Sequence, residues 1–304
     1  MEKRILGRSG LEVSVIGFGT IAIGGFYGPV DDAESIRALH AAVDAGINFL
    51  DTSDAYGLEH RSESITGKFL KERSDRDDIL ICTKGGNNMI TRKREFSPDY
   101  IRGCVEGSLK RLGVEAFDLY LLHNPSVDDL EKEISFDLLE KYKAQGKMKH
   151  WGVSVNTLPE CELAVSGGRA EAMQMEYNIL EQEPAEVFAK AKAAGVGVIS
   201  RVPLKRGFLS GRFEETHTFA EKDMRSRVLS PENMRKFRVR LDRLREVAED
   251  LGRPAAEVAI RFCVSNPNVS TVLPGIRTPA QAKEDAAAWE PLPPAALARL
   301  TSDM

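Results

Sequence analysis

The sequence has few cysteines and no long apolar run. Its four cysteines stand far apart in 304 residues and form no C-x-x-C pair, so the spacing of a cysteine metal site is missing. No apolar run approaches the roughly 18–20 residues needed to cross a bilayer. The first ten residues, MEKRILGRSG, are too polar for a secretory signal. We therefore expect a cytoplasmic protein with reduced thiols, no metal and no membrane partner.

An excess of charge of one sign is also missing. The 42 basic and 46 acidic residues give a net charge of −4, which requires no polyanionic partner. The densest basic stretch, residues 222–245, has acidic residues among its Lys and Arg, so a solvated helix face explains it better than a nucleic-acid site. Nucleic acid is thus not an expected partner, and the sequence does not indicate an oligomeric state.

A third missing feature is the glycine-rich loop of an open dinucleotide-binding fold. Residues 17–25, GFGTIAIGG, contain glycines but lack the G-x-G-x-x-G spacing with an acidic residue about 20 positions later. Close backbone packing is the simpler explanation of Gly17 and Gly19. A doubly wound open sheet is therefore the weaker of the two α/β architectures.

What the chain does contain is a regular alternation of short apolar runs and stretches of helical period. The eight runs begin at Val15, Ile47, Ile79, Phe117, Lys149, Ala172, Gly195 and Val269. Helices are predicted at residues 32–45, 61–71, 98–112, 130–145, 159–166, 184–194 and 235–251, with one more after Thr278. Eight successive β-then-α units predict a single (β/α)₈ barrel domain over residues 1–304.

Two segments depart from a plain barrel. Residues 4–14, RILGRSGLEVS, alternate around Ser9-Gly10 and predict a hairpin that would plug the N-terminal mouth of the barrel. Residues 205–230 form a long stretch after the seventh strand. A loop of this length is usually functional or disordered, and this one lies on the side where barrel active sites are found.

Polar residues follow three consecutive strands, where catalytic groups of a barrel stand. Asp51 ends the second strand and Tyr56 follows it, Lys84 ends the third, and His123 ends the fourth. Each has an ordinary explanation alone: a cap, a surface aromatic, a loop lysine or a rim histidine. Their joint placement argues against coincidence and predicts one catalytic group.

The chemistry of these four side chains suits carbonyl reduction, which needs a proton at oxygen and a hydride at carbon. A tyrosine holds its proton at neutral pH, and a nearby lysine ammonium favours the phenolate and lowers its pKa. Asp51 would hold Lys84 in place and keep it charged. His123 beside Tyr56 would orient the substrate oxygen.

The motifs that contain these residues resemble the aldo-keto reductase superfamily. They are LDTSDAYG, the Lys of ILICTK, the His of LYLLH, WGVSVN, QMEYN, VPLKRGFLSGR and PGIRTPAQAKED. The similarity covers nearly the whole chain. It looks closest to bacterial members with an RVPL-type seventh strand, and it extends to the channel-associated β subunits that share the fold.

The resemblance implies a (β/α)₈ barrel that binds NADP(H) in an extended form, with Tyr56 as the acid/base of the tetrad Asp51, Tyr56, Lys84 and His123. Asp51 would also lie beside the cofactor. The implied nicotinamide contacts are Ser154, Asn156 and Gln174 at the carboxamide and the backbone of Gly19, Thr20 and Ile21 at the ring. The implied pyrophosphate loop contains Val202, Pro203, Leu204, Lys205, Gly207 and Arg212. The implied adenosine and 2′-phosphate contacts are Gly275, Arg277, Gln281, Glu284 and Asp285.

Three features depart from the family pattern. Arg201 stands where many members place an aromatic residue against the nicotinamide, so its guanidinium would stack there or point away. Asp285 stands where asparagine is common. The tail after the last helix, WEPLPPAALARLTSDM, is short, which predicts an open pocket for small carbonyl or alcohol substrates.

Three functions stay open at this stage. The first is NADP(H)-dependent reduction of aldehydes or ketones. The second is the reverse reaction, an alcohol or polyol dehydrogenase, because proton and hydride transfer are reversible. The third is a non-catalytic nicotinamide-binding sensor or scaffold, which an intact tetrad disfavours.

Overall fold

The computed structural model describes residues 1–88, 91, 93–213, 217–221 and 223–301. Eight parallel strands form one sheet in the order of the chain. They are β3 (Phe18–Gly19), β4 (Phe49–Asp51), β5 (Leu80–Gly85), β8 (Phe117–His123), β9 (Met148–Ser154), β10 (Ala172–Glu176), β11 (Gly197–Arg201) and β12 (Thr271–Leu273). Each predicted apolar run overlaps one of these strands.

The first and last of these strands meet and close the sheet into a barrel. Gly17 N–H donates to the Val272 carbonyl at 2.8 Å, and Gly19 N–H donates to the Pro274 carbonyl at 3.0 Å. A Cβ on Gly19 would lie 2.8 Å from that Pro274 oxygen, so this contact requires glycine. The (β/α)₈ prediction is confirmed, and the open doubly wound sheet is wrong.

Helices connect the strands and form the outer layer. They are α1 (Asp32–Asp44), α2 (Arg61–Glu72), α3 (Pro98–Leu112), α4 (Val127–Glu131), α5 (Phe136–Ala144), α6 (Leu158–Ser166), α7 (Ala185–Ala193), α8 (Arg225–Val228), α9 (Pro231–Lys236), α10 (Arg238–Leu251), α11 (Ala255–Val264), α12 (Pro279–Ala287) and α13 (Pro294–Thr301). Most predicted bounds differ from these by three residues or fewer, as expected for frayed ends.

Two helix predictions are wrong. The helix expected at residues 130–145 is the pair α4 and α5, because Glu133 (φ 49°) and Ser135 (φ 67°) adopt left-handed backbone between them. The sequence analysis also missed α8, α11 and α13, and α13 lies in the tail that was expected to follow the last helix. The helix predicted at residues 235–251 begins too early, because its first two residues belong to α9 and α10 begins at Arg238.

The N-terminal hairpin is present as predicted. Strand β1 (Lys3–Ile5) pairs antiparallel with β2 (Glu12–Ser14). Leu6 and Val13 are fully buried and belong to the cluster that fills the barrel. Arg8 N–H also donates to the Gly195 carbonyl, just before β11 begins. The hairpin therefore covers the amino-terminal ends of the strands and leaves the opposite mouth for the site.

The barrel core follows the two-residue period of its strands. Phe49, Cys82, Leu119, Leu121 and Ile199 pack inside with the hairpin residues, while the intervening Tyr120 and Leu122 belong to the larger core beneath the helices. Alternate side chains of a strand point to opposite faces, so β8 contributes to both cores.

Several features outside the site bear on the sequence predictions. All four cysteines are buried and unpaired. Within the described ranges no helix is long and apolar enough to cross a bilayer, and no cluster of three or more metal-ligating side chains occurs. In the basic stretch, Lys222 lies outside the described residues, whereas Arg225, Lys236 and Arg238 pair with Asp223, Glu232 and Asp242.

A short second hairpin stands at the open mouth. Strand β6 (Asn87–Asn88) pairs antiparallel with β7 (Lys93–Arg94). Glu95 N–H donates to the Gly86 carbonyl at 2.8 Å below this pair. Asn87 lines the cavity described next, so the hairpin contributes to its rim.

Candidate active site

A cavity of about 390 Å³ opens at the carboxyl ends of the barrel strands. It brings together nineteen of the residues singled out in the sequence. They are Gly19, Ile21, Asp51, Tyr56, His123, Ser154, Asn156, Gln174, Arg201, Val202, Pro203, Leu204, Gly207, Arg212, Gly275, Arg277, Gln281, Glu284 and Asp285.

Three predicted residues are not part of this lining. Lys84 lies beneath the wall with no exposed surface. Thr20 is also buried, and its hydroxyl donates to the Asp51 carbonyl at 2.9 Å. Lys205 forms ion pairs with Glu176 and Glu181, both at 2.7 Å. The ammonium of Lys205 is thus engaged by carboxylates beside the cavity.

Four side chains form a connected group at the base of the cavity. Lys84 Nζ donates to Asp51 Oδ2 at 2.7 Å, to the Thr52 carbonyl at 2.8 Å and to the Tyr56 hydroxyl at 3.4 Å. The ring of His123 meets the ring of Tyr56 edge-on, with 5.7 Å between centroids. The ends of β4, β5 and β8 therefore place the predicted tetrad in one contact group.

Burial and the nearby lysine charge have opposite effects on the pKa of Tyr56. Burial raises the pKa of Tyr56 above its ordinary value, and the Lys84 ammonium opposes this without overcoming it. The net pKa is therefore raised, whereas the sequence analysis emphasised the lowering by lysine. Burial lowers the pKa of Lys84, but the Asp51 carboxylate together with Tyr56 and Cys82 raises it above its ordinary value. Near neutral pH the pair is thus a protonated tyrosine beside a charged lysine.

The imidazole of His123 is neutral in this setting. Burial holds its pKa well below the usual range, and the cations Lys84, Arg201 and Arg94 push it in the same direction. Its Nδ1 lies 3.0 Å from the Ser53 hydroxyl. A neutral imidazole has one N–H donor and one bare nitrogen, so His123 offers a neutral polar contact beside the tyrosine.

Amide groups lie next to the tetrad. Gln174 Nε2 donates to Asp51 Oδ1 at 2.8 Å, so both oxygens of that carboxylate have partners. The Ser154 hydroxyl donates to Gln174 Oε1 at 3.4 Å. These side chains, from β9 and β10, present hydroxyl and amide groups of the type that hold a carboxamide.

Arg201 is fixed at the wall by neighbouring oxygens. Its guanidinium donates to the Val155 carbonyl at 3.1 Å and to Asn156 Oδ1 at 2.9 Å, and it pairs with Glu176 at 3.5 Å. Its side chain is 18% exposed. The Glu176 carboxylate and the Asn156 amide thus restrain the cation that replaces the aromatic side chain expected there.

The loop after β11 follows an unusual backbone path along the cavity. Val202 (φ 60°), Lys205 (φ 44°) and Arg206 (φ 55°) have left-handed backbone, as does Gly207 (φ 94°). For non-glycine residues this conformation costs about 1–3 kcal/mol each and is concentrated at functional sites. These residues lie at or beside the cavity lining.

The same loop continues over the cavity as a strap, residues 205–213 and 223–229. Arg225 pairs with Asp223 at 2.5 Å, and its guanidinium lies 5.5 Å from the centre of the Tyr27 ring. Met224 N–H donates to the Phe26 carbonyl at 3.0 Å. The strap therefore contacts the loop that follows β3 across the mouth.

Arg277 ties the last βα connection to that same loop. Its guanidinium donates to the Tyr27 carbonyl at 3.0 Å and the Pro29 carbonyl at 2.6 Å. Its backbone N–H donates to Gln281 Oε1 at 2.9 Å. Thr278 caps α12 by accepting from the Gln281 N–H, so these residues are anchored at a helix N-terminus that favours anions.

Two carboxyl groups follow on α12. Burial and, to a lesser degree, the neighbouring Glu284 raise the pKa of Asp285 to about 7 against the opposing effect of Arg212. Asp285 is only 8% exposed. Its carboxyl group is thus divided between the neutral and charged forms near neutral pH, which the sequence alone did not indicate.

Several cavity residues were missed in the sequence. They are Ala22, Asn124, Arg206, Ser210, Phe213, Met224, Arg225, Ala256 and Leu273. Most belong to the strap, whose path depends on long-range contacts. The one available signal was the clustering of Arg206, Arg212 and Arg225 within a long loop.

The lining has the chemistry needed by a phosphorylated nicotinamide dinucleotide. Arg206, Arg212, Arg225 and Arg277 reach one cavity, and arginine forks suit phosphate oxygens. The carboxylate of Asp51 is neutralised there by Lys84. Hydroxyl and amide groups for a carboxamide lie at the tetrad end, so the residues present fit this group.

Comparison with known proteins identifies the family of this chain. The model of the Aldo/keto reductase family matches residues 15–302. Aldo-keto reductase YhdN of Bacillus subtilis (strain 168) is 32% identical over an alignment of 290 residues, and the match covers 92% of this chain and 86% of that protein.

Solved structures give the same result. The holo form of aldo-keto reductase AKR11C1 from Bacillus halodurans has a TM-score of 0.82 at 31% identity, covering 99% of this chain and 95% of that one. Its apo form has a TM-score of 0.74 at 29% identity, with the same coverage. Glycerol dehydrogenase AKR11B4 from Gluconobacter oxydans has a TM-score of 0.82 at 28% identity, covering 100% and 97%. The family model, the sequence relative and these folds agree over nearly the full length, and the chain belongs to the Aldo/keto reductase family of oxidoreductases.

Proposed function

We propose that this protein is an NADP(H)-dependent oxidoreductase that reduces aldehydes or ketones to alcohols, with Tyr56 as the proton donor. One observation supports this above the others. The Lys84 ammonium lies between the Asp51 carboxylate, at 2.7 Å, and the Tyr56 hydroxyl, at 3.4 Å, at a cavity wall. This arrangement can release a phenolic proton into the cavity and stabilise the phenolate that remains.

Each tetrad residue has a distinct part in that reaction. A bound nicotinamide supplies the hydride for the carbonyl carbon. Tyr56 gives its proton to the substrate oxygen, and Lys84 stabilises the resulting phenolate. Asp51 keeps Lys84 charged and in place, because its carboxylate raises the lysine pKa against the effect of burial. The neutral His123 contacts the substrate oxygen beside Tyr56 and orients it.

The cofactor would lie along the cavity in the extended form that the family resemblance implies. Ser154, Asn156 and Gln174 would hold the carboxamide, and the arginines of the strap would pair with the pyrophosphate. Arg277 and Gln281 would meet the 2′-phosphate. The similarity to the holo form of AKR11C1, with a TM-score of 0.82 at 31% identity, supports a bound cofactor.

The reverse reaction is a second candidate. The similarity to a glycerol dehydrogenase favours it, and the proton path from substrate oxygen to Tyr56 runs equally in that direction. The chain would then oxidise a small alcohol or polyol. A non-catalytic sensor is disfavoured, because the tetrad is complete and its contacts are made.

The decisive experiment follows NADPH oxidation with a panel of aldehydes, ketones and keto-sugars, and NADP⁺ reduction with the matching alcohols. Turnover of small carbonyl compounds at neutral pH is the expected result. Tight cofactor binding with no turnover on either panel would favour the sensor. We also propose that residues 1–304 act as one domain, that the substrate is a small molecule and that the protein works in the cytoplasm.

A further inference from the structure

Ser53 occupies the turn between β4 and Tyr56 and has no exposed surface. Its hydroxyl oxygen lies 3.0 Å from Nδ1 of His123, the last residue of β8. This contact links the segment after β4, which contains Tyr56, to the end of β8, which contains His123.

The hydroxyl proton of Ser53 has three acceptors within reach. The Lys84 carbonyl and Asp54 Oδ1 both lie at 3.3 Å, and His123 Nδ1 lies at 3.0 Å. The Lys84 carbonyl already accepts from the Asp54 N–H at 3.1 Å. The Asp54 carboxyl is also hydrogen-bonded by the Cys104 thiol. Nδ1 is therefore the nearest acceptor and, among the described residues, the one without another donor.

The serine oxygen has its own donor. Ala55 N–H donates to Ser53 Oγ at 3.1 Å, which orients the hydroxyl within the turn. The Ser53 oxygen accepts one hydrogen bond from Ala55. Donation of the hydroxyl proton to His123 Nδ1 then gives Ser53 a partner both as acceptor and as donor. A protonated Nδ1 would instead direct the serine proton to an acceptor that is farther away and already partnered.

The state of the second ring nitrogen follows from this bond. His123 is neutral, so an unprotonated Nδ1 places the single ring proton on Nε2. Nδ1 is directed at the turn, and Nε2 is the nitrogen left for the cavity that His123 lines. An Nε2–H donor next to Tyr56 attracts a substrate oxygen, whereas a bare Nε2 would repel its lone pairs.

We propose that Ser53 is a positioning residue, whose hydroxyl donates to His123 Nδ1 and holds the imidazole in the tautomer that presents Nε2–H to the substrate oxygen. The catalytic consequence rests on the proposed function. The tautomer itself does not, because it is a property of the protein without substrate.

The test uses the full-length chain with ¹⁵N-labelled histidine. The His123 signals are assigned by their loss in His123→Asn, and the tautomer is measured from the Nδ1 and Nε2 shifts at pH 7.5. Wild type is expected to show a single Nε2–H tautomer. Ser53→Ala is expected to shift His123 to a mixture or to the Nδ1–H form.

The same variants are assayed for turnover on the best carbonyl substrate. Ser53→Ala should lower kcat by at least ~10-fold, since complete loss of a donor to a developing oxyanion costs ~10²–10³. NADPH affinity should stay within about twofold. Ser53→Thr keeps a hydroxyl and should restore both the tautomer and most of kcat.

Ser108→Ala is the matched control. Ser108 is also fully buried, and its hydroxyl accepts from Arg111 at 3.1 Å on α3, outside the cavity lining. This control should keep the wild-type tautomer and turnover. If Ser108→Ala lowers kcat as much as Ser53→Ala does, the loss in kcat reflects a buried serine alone and the proposal is overturned.

Other outcomes also overturn the proposal. A wild-type His123 protonated on Nδ1 would do so, as would a Ser53→Ala protein that keeps a pure Nε2–H tautomer. If wild type turns over no substrate, the proposed function fails, but the NMR comparison of wild type with Ser53→Ala still decides the role of Ser53. If Ser53→Thr is too crowded to fold, that same comparison decides it.

Discussion

The Lys84 ammonium donates to the Asp51 carboxylate at 2.7 Å, and both side chains are buried, with 0% and 5% of their surfaces exposed. Isolated charges at this depth would be costly, but each is compensated by the other and by further hydrogen bonds. This pair holds a fixed positive charge 3.4 Å from the Tyr56 hydroxyl. The first two predictions test this pair and the tyrosine next to it.

Tyr56→Phe keeps the aromatic ring and removes the proton. We expect kcat to fall by at least ~100-fold, the usual scale of general acid catalysis. NADPH affinity, measured by fluorescence titration, should be nearly unchanged because the hydroxyl is needed for proton transfer rather than for binding. Near-normal turnover of this variant on a good substrate would refute the role of Tyr56.

Lys84→Met should remove activity and also destabilise the fold. The substitution leaves the Asp51 carboxylate buried without its cation, and breaking one side of a buried pair costs ~3–5 kcal/mol. Urea denaturation should show a lower free energy of unfolding of that order.

The double variant Lys84→Met with Asp51→Asn separates the two effects. It has no unpaired buried charge, so it should recover much of the stability while staying inactive. Recovery of turnover in the double variant would contradict the role of the lysine charge.

Ionisation of Asp285 should make cofactor binding depend on pH. Burial and, to a lesser degree, Glu284 raise the pKa of this carboxyl to about 7 against the opposing effect of Arg212. As pH rises from 6 to 8 the group becomes negative, and it should weaken the binding of an anionic cofactor. The affinity of wild type for NADPH should therefore fall relative to that of Asp285→Asn over this range, in fluorescence titrations.

The same carboxyl should affect stability, with a definite sign. Its folded pKa lies above the unfolded value of about 4, so its contribution is greatest below that value and is lost as pH rises through about 7. Asp285→Asn should consequently gain stability relative to wild type at pH 8 compared with pH 4. An equal difference between the two proteins at both pH values would mean that folding does not shift the pKa of this carboxyl.

The barrel and the tetrad were accessible from the sequence because both depend on local order. Strand runs end at Asp51, Lys84 and His123, and parallel strands bring their carboxyl ends to one mouth. Long-range contacts were not accessible. The break at Glu133 and Ser135 requires left-handed backbone at ordinary residues, and the cavity positions of Arg206 and Arg225 depend on how the strap packs.

The sequence also did not predict the protonation states and contacts of buried polar groups. The sequence places Asp285 after Arg277, but it does not show that the carboxyl is buried and holds its proton near neutral pH. It likewise gives Ser53 as one letter of a motif, without the contact to His123. Both features arise from burial, and a single sequence does not show how deeply each side chain is buried.

Cofactor choice should depend on Arg277. NADPH and NADH differ by the 2′-phosphate, and a guanidinium at the N-terminal end of α12 suits that group. Two of the five N–H groups of Arg277 bond the Tyr27 and Pro29 carbonyls, which leaves the others for phosphate. A charged hydrogen bond contributes ~1.5–3 kcal/mol, so Arg277→Ala should weaken NADPH binding roughly 10- to 100-fold.

NADH is the internal control for this variant, because it lacks the phosphate but needs the same loops. Its affinity should hardly change if Arg277 acts on the 2′-phosphate. If instead the main role of Arg277 is to tie the Tyr27 loop to the last βα connection, Arg277→Ala should weaken both cofactors equally. Arg277→Lys separates the two roles further, since it keeps a charge but not the planar fork. Fluorescence titration of the three proteins with both cofactors measures the difference. Equal affinity of wild type for NADH and NADPH would show that this site does not select NADP(H).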